Sequence, residues 1–143
     1  MPGIVVDSSV AGKWVLPEPD SALAHAIVTE ALRTGEPLFV LDIALAEITN
    51  AIWKQYYRGL ATIDQARQWL DDLLACPVQV VPSQRVLRPA LEITAKHRRA
   101  VHDALFVALA HDLGLTGVTA DEPLHTAVHV DYPNIVMLRN WKP

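Results

Sequence analysis

Short apolar runs alternate with amphipathic segments along the whole chain. The runs at 4–6, 38–41, 78–81, 117–119 and 135–138 are apolar almost throughout, as in Ile4-Val5-Val6 and Leu38-Phe39-Val40-Leu41. A strand half-exposed to water would alternate apolar and polar residues, whereas these read as strands covered on both faces. Between them lie segments with apolar positions three or four residues apart, the period of a helix face. Strands alternating with such helices predict an α/β fold with a short-stranded parallel sheet between helical layers.

The helices are punctuated. Asp20 or Ser21 caps a helix whose predicted stripe is Leu23, Ala26, Ile27 and Ala31, and Gly35 with Pro37 ends it. A second helix runs over 42–58 and stops at Gly59. Thr62-Ile63-Asp64-Gln65 fits a capping box for a third, with Ala66, Trp69, Leu70, Leu73 and Leu74 on its stripe. So short a connection predicts an antiparallel helical hairpin. Ser83 is the expected cap of a fourth helix with Val86, Leu87, Ala90, Leu91 and Ala95 inward. Pro89 removes a donor there, which predicts a kink or a start near Pro89. Further helices are expected over 103–113 and 122–128.

Four acids interrupt the apolar pattern. Asp7 follows Val5-Val6, Glu47 lies inside Ala44-Leu45-Ala46-Glu47-Ile48, Asp103 opens an apolar run to Ala110, and Asp121 follows Val118-Thr119-Ala120. A carboxylate beside buried surface is costly unless paired, hydrogen-bonded or bound to a metal. In open parallel sheets ligands bind at the carboxyl ends of strands. Asp7 and Asp121 follow strands, Asp103 starts a helix and Glu47 lies a turn into another, so all four point to one crevice. Hard oxygen donors suit magnesium or manganese, and such ions suit phosphodiester hydrolysis by an activated water. Taken singly, Asp7, Asp103 and Asp121 also read as helix or turn caps, and Glu47 as a partly exposed helix residue. Ser8 or Ser9 and Thr119 stand beside the acids, either to orient a carboxylate or to cap local backbone.

Composition narrows the classes. The 143 residues, 51% hydrophobic and 20% charged, suit one domain, 1–143, with ample core. No apolar run is long enough for a membrane span, and residues 1–7 show no secretory pattern, which makes a cytoplasmic protein the expectation. The net charge of −4 neither advertises nucleic-acid binding nor excludes it, because bound divalent metal inverts the local field. Cys76 is the single cysteine, expected to be buried at a helix end. His125 and His129 are four apart but lack the glutamate of a zinc-protease motif. His102 and His111 read as surface or core-edge residues. Lys96, Arg98 and Arg99 form a basic run before Asp103, either a solvated helix end or a contact for an RNA backbone; Lys13, Lys54 and Arg58 are weaker candidates of that kind. Trp53, Tyr56, Tyr57 and Trp69 crowd the hairpin, as core or as a partner or dimer face.

The ordered set resembles a known family. Val5-Val6-Asp7-Ser8-Ser9-Val10, Leu45-Ala46-Glu47-Ile48-Thr49-Asn50-Ala51, 102–110 with its His102-Asp103-Ala104-Leu105, and Val118-Thr119-Ala120-Asp121 are similar to the motifs of PIN-domain ribonucleases, and among them to VapC-type toxins. Trp14-Val15-Leu16-Pro17-Glu18 also looks like the toxin-type N-terminal region. The resemblance implies a three-layer α/β/α fold, with Asp7, Glu47, Asp103 and Asp121 as acids holding Mg2+ or Mn2+ and with Ser9 and Thr119 at the accompanying hydroxyl positions. It implies an RNA substrate, a VapB-type antitoxin and a homodimer formed around the aromatic hairpin. Glu122 adjoins Asp121, so either faces the metal. Two other readings remain. A haloacid-dehalogenase-like phosphatase or a receiver domain also has Asp after its first strand, but Ser9 stands where the phosphatase needs a second Asp, and the receiver's acid pair and late lysine are not evident. A non-catalytic binding module would use the acids only as caps.

Overall fold

The computed structural model describes residues 2–143. Its strands are β1 (Ile4–Val6), β2 (Leu38–Leu41), β3 (Gln79–Val81), β4 (Thr116–Thr119) and β5 (Ile135–Met137), and every pairing is parallel. They form one sheet in the order β3-β2-β1-β4-β5. The chain builds outward from β1 to β3, then crosses back to lay β4 on the other side of β1. Its topological switch point is therefore the gap between the carboxyl ends of β1 and β4, where ligands of such sheets bind.

The helices are α1 (Ser8–Ala11), α2 (Ser21–Thr34), α3 (Asp42–Tyr57), α4 (Ile63–Leu74), α5 (Leu87–His97), α6 (Val101–Leu113) and α7 (Glu122–Val128). Side chains alternate across a strand, so β1 feeds two cores. Val5 packs into a cluster with Ala90, Ile93, the α6 residues 104–110 and Leu124. Val6 packs into the other, with Val10, Ile27, Ile48, Ile52 and Leu73. Helices α5, α6 and α7 thus cover one face and α1 to α4 the other, the α/β/α layering expected. Helix α6 is buried along 104–110 because it lies across the middle of the sheet. Gly117 lets it approach: a Cβ there would lie 2.9 Å from Phe106 Cζ and 3.0 Å from Ala110 Cβ.

Several boundaries differ from the pattern-based reading. Val78, Gly117 and Leu138 are not strand ends: β3 starts at Gln79, β4 at Thr116, and Leu138 begins a 3-10 turn. Ser83 is not a helix cap. It opens a 3-10 turn, and its amide and hydroxyl donate to Asp42 Oδ1. Of the two outcomes expected at Pro89, the nearby helix start holds: α5 begins at Leu87, so Pro89 is the third residue, where an amide has no helical acceptor and costs nothing by its absence. Starting at Leu87 also sets the phase: Val86, Ala90 and Ile93 are inward, while Leu87, Leu91 and Ala95 are exposed. In α2 the buried pair is Ala24 and Ile27, with Leu23 and Ala26 outward. The capping box at Thr62 forms as expected, Thr62 Oγ1 accepting from the Gln65 amide and Gln65 Oε1 from the Thr62 amide. Helices α3 and α4 pack on each other. Trp53, Tyr56 and Tyr57 are exposed on α3, and Trp69 is half-buried. Among the described residues no helix is long and apolar enough to cross a membrane.

Candidate functional site

A pocket of about 340 Å³ opens at the switch point, and Asp7, Glu47, Asp103 and Asp121 all line it. Each acid comes from a different element. Asp7 ends β1 in extended conformation and caps α1, its Oδ1 accepting from the Ser8 amide at 2.9 Å. Glu47 projects from α3. Asp103 is the third residue of α6; the cap there is Ala100, so the capping reading fails for Asp103. Asp121 does cap α7, its Oδ1 accepting from the Leu124 amide at 3.1 Å. Capping and site geometry coincide for Asp7 and Asp121, because a cap sits where a strand hands over to a helix.

Two hydroxyls join the β1 and β4 ends. Asp7 Oδ2 accepts from Ser9 Oγ at 2.8 Å and from Thr119 Oγ1 at 2.7 Å. Ser9 Oγ in turn accepts from the Ala120 amide at 2.9 Å, and Thr119 Oγ1 from the Asp121 amide at 3.1 Å. Each hydroxyl therefore spends its proton on Asp7 and its lone pair on the β4–α7 turn. That fixes one oxygen of Asp7 and ties the two acid-bearing turns together. Thr119 is fully buried, so its hydroxyl depends on these partners.

The field in the pocket is negative. Burial pushes the Asp7 carboxyl above its ordinary value of 3.8, against the hydrogen bonds from Thr119 and Ser9, and the Asp103 charge adds to the rise. Burial likewise raises Glu47 above 4.5; nearby His102 offsets part of this, while Asp7 and Asp103 add to it. Carboxylates held close together and partly out of water are each short of positive charge.

A guanidinium and an imidazole reach them. Arg99 Nη2 lies 3.2 Å from Asp103 Oδ2 and 3.8 Å from Asp121 Oδ2. His102, which lines the pocket, places Nε2 3.6 Å from Asp103 Oδ1. As these side chains stand, no group of three His, Cys, Asp or Glu among the described residues is arranged to hold a metal ion. In kind, the four carboxylates fit a hard divalent cation: all are oxygen donors, and burial, with neighbouring acids adding to it, raises the proton affinity of two of them.

The PIN-domain profile matches residues 4–128, a span that starts with β1 and ends with α7 and so contains all four acids. The chain belongs to the PIN-domain family. Among PIN relatives, it is 34% identical over 123 residues to Ribonuclease VapC3 of Pyrobaculum aerophilum, covering 85% of this chain and 91% of that protein. The PIN fold itself recurs in solved structures of lower identity. PAE2754 from Pyrobaculum aerophilum superposes with a TM-score of 0.68 at 23% identity, over 96% of this chain and 85% of that one. VapBC2 from Rickettsia felis, solved bound to a DNA fragment from its promoter, gives 0.68 at 17% identity, over 97% of this chain and 98% of that one.

The remaining candidates separate within this PIN domain. Glu122 is exposed and pairs with Arg139 at 3.2 Å, outside the pocket, so Asp121 is the acid that faces it. In the basic run, Lys96 Nζ lies 2.7 Å from Asp131 Oδ2, Arg98 is exposed, and Arg99 turns onto the acids. Lys13 pairs with Glu18 at the pocket wall. His125 and His129 stack on each other, centroids 5.0 Å apart, away from the pocket. Cys76 is half-buried just past α4, and burial pushes its thiol up. His102, read from sequence as a surface or core-edge residue, and Ser8, read as an alternative to Ser9 beside the acids, both line the pocket. The signal for both was adjacency: each flanks a candidate acid, on a turn and on a helix start.

Proposed function

We propose that this chain is a divalent-metal-dependent endoribonuclease acting as the toxin of a toxin–antitoxin pair. The observation that carries it is the convergence of Asp7, Glu47, Asp103 and Asp121 on one pocket at the switch point. The likeness to Ribonuclease VapC3 supports an RNA substrate, and the fold shared with VapBC2 agrees with an antitoxin partner. The four acids would hold Mg2+ or Mn2+. Such an ion supplies positive charge where negative charge develops at the scissile phosphate.

The protein's own part is positional. Ser9 and Thr119 orient Asp7, leaving the carboxylate able to turn a free lone pair toward the pocket. The raised proton affinity of Asp7 and Glu47 marks where a cation would relieve the site most. Exposed Arg98, with Lys96 and Arg99 beside it, is placed to hold the RNA backbone by charge. The exposed Trp53 and Tyr56, which line an apolar groove with Ile52 and Leu70, form the face for antitoxin or a second protomer.

Purified wild type and D103N, incubated with a structured RNA in Mn2+, test the reading. Wild type should cleave and D103N should lose at least about a hundredfold in rate, as expected when a group that stabilises developing charge is removed. Equal rates for the two would refute it.

A further inference from the structure

We propose that Arg99 is a built-in counter-cation of the acid pocket, competing with the divalent ion for Asp103 and Asp121 and so setting how much ion the site needs. This role presupposes the metal site proposed above.

The backbone delivers Arg99 to the acids. Arg98 ends α5 in a left-handed conformation, φ 56°, and Ala100 enters α6 extended. Only residues 98–100 link the two helices, so Arg99 sits just before the first turn of α6 and reaches Asp103, four residues on. Its Nη2 also approaches Asp121 from the neighbouring β4–α7 turn. The side chain is 26% exposed, against 18% for Asp103. Its Nε is buried without a partner, which marks the guanidinium as held inward rather than splayed into solvent. Arg99 is not part of the pocket lining. It meets the two acids from beside that space.

The consequences are electrostatic. Asp103 Oδ2 is engaged by Arg99, and Asp121 has Oδ1 on the Leu124 amide and Oδ2 facing Arg99. One oxygen of each carboxylate thus faces a monovalent charge. A divalent ion must draw these oxygens away from the guanidinium, and it must also bear the repulsion of a permanent positive charge, since arginine does not deprotonate. Repulsion between +2 and +1 at roughly 6 Å, even with water-like screening, weakens binding about tenfold.

Isothermal titration with Mn2+ alone, on the full chain freed of metal, tests this in wild type, R99Q, R99K and D7N, with circular dichroism verifying that each is folded. R99Q should bind Mn2+ about tenfold tighter than wild type, R99K within about twofold of wild type because it keeps the charge, and D7N much more weakly. Wild-type affinity in R99Q, with D7N still weakened, overturns the counter-cation role and leaves the metal site standing. Weaker binding in R99Q also overturns it, since Arg99 would then be holding the acids in place for the ion. No Mn2+ binding by wild type removes the metal site and this role together. If R99Q does not fold, a tenfold tightening in R99K would by itself contradict a role that depends on charge.

Discussion

Replacing Asp7 with Asn should make the metal-free protein more stable while removing its response to a divalent ion. The Asp7 carboxyl is raised above 3.8 by burial, although Thr119, Ser9 and the Ser8 amide all donate to it. Hydrogen bonds to a charged acceptor contribute about 1.5–3 kcal/mol each. Desolvating an ion costs several kcal/mol, and here it outweighs three such bonds. Asn has the same shape and keeps an oxygen for the Ser8 amide. Its NH2 can donate to the second lone pair of each hydroxyl, while the hydroxyl protons lose the carboxylate and one of them turns to the other hydroxyl, 3.3 Å away. What disappears is the charge and its repulsion by Asp103. The net gain at pH 7 is on the order of 1–2 kcal/mol, or roughly 3–8 °C in Tm for a chain of this size. A raised carboxyl favours the folded state while it is protonated. That contribution is complete below the unfolded value near 3.8 and is lost as pH rises through the higher folded value. The margin of D7N over wild type should thus be largest at neutral pH and close as the pH falls toward 4. Thermal melts in EDTA from pH 4 to 7.5, repeated with Mn2+, measure it. D7N melting below wild type at pH 7, or a margin independent of pH, would refute the reasoning.

Two further substitutions test the scaffold. G117A should cost about 1–3 kcal/mol in urea unfolding, because the new Cβ would lie 2.8 Å from Ile135 Cδ1 and 3.0 Å from Ala110 Cβ, and the latter cannot swing aside. D42A should cost about 1 kcal/mol, since Asp42 accepts from the Ile43 amide at 2.7 Å and from the amide and hydroxyl of Ser83. The Ser83 hydroxyl holds Asp42 below its ordinary value of 3.8, so its contribution is present above that pH and is lost as the pH falls through the lowered value.

The sheet was legible because strands buried on both faces are apolar without interruption, as in β1 and β2, and each begins or ends at a residue that punctuates the chain. The four acids were legible for the related reason that a carboxylate at the end of such a run has few inert explanations. Helix phase was harder to read. In α2 and α5 the choice between stripes rested on single apolar residues, Leu23 and Leu91, and the surface tolerates such residues singly. Pro89 announced a helix start nearby, but pattern alone did not fix that start at Leu87. The direction of Arg99 was out of reach from sequence: Arg98 adopts a left-handed turn with no glycine to announce it. Capping and site roles could not be divided for Asp7 and Asp121 because the two acids perform both.

The outer strand β3 has a consequence for how molecules of this chain meet. It is only Gln79–Val81 long, with Pro77 before it and Pro82 directly after. Val80 is 47% exposed on it, an apolar residue at an open sheet margin. A strand from another molecule, adding there, would find a ladder ended on each side by a residue with no amide proton, and such short, proline-bounded margins resist strand addition. The molecule can therefore carry an apolar residue at its sheet margin without inviting the runaway stacking that longer bare margins nucleate.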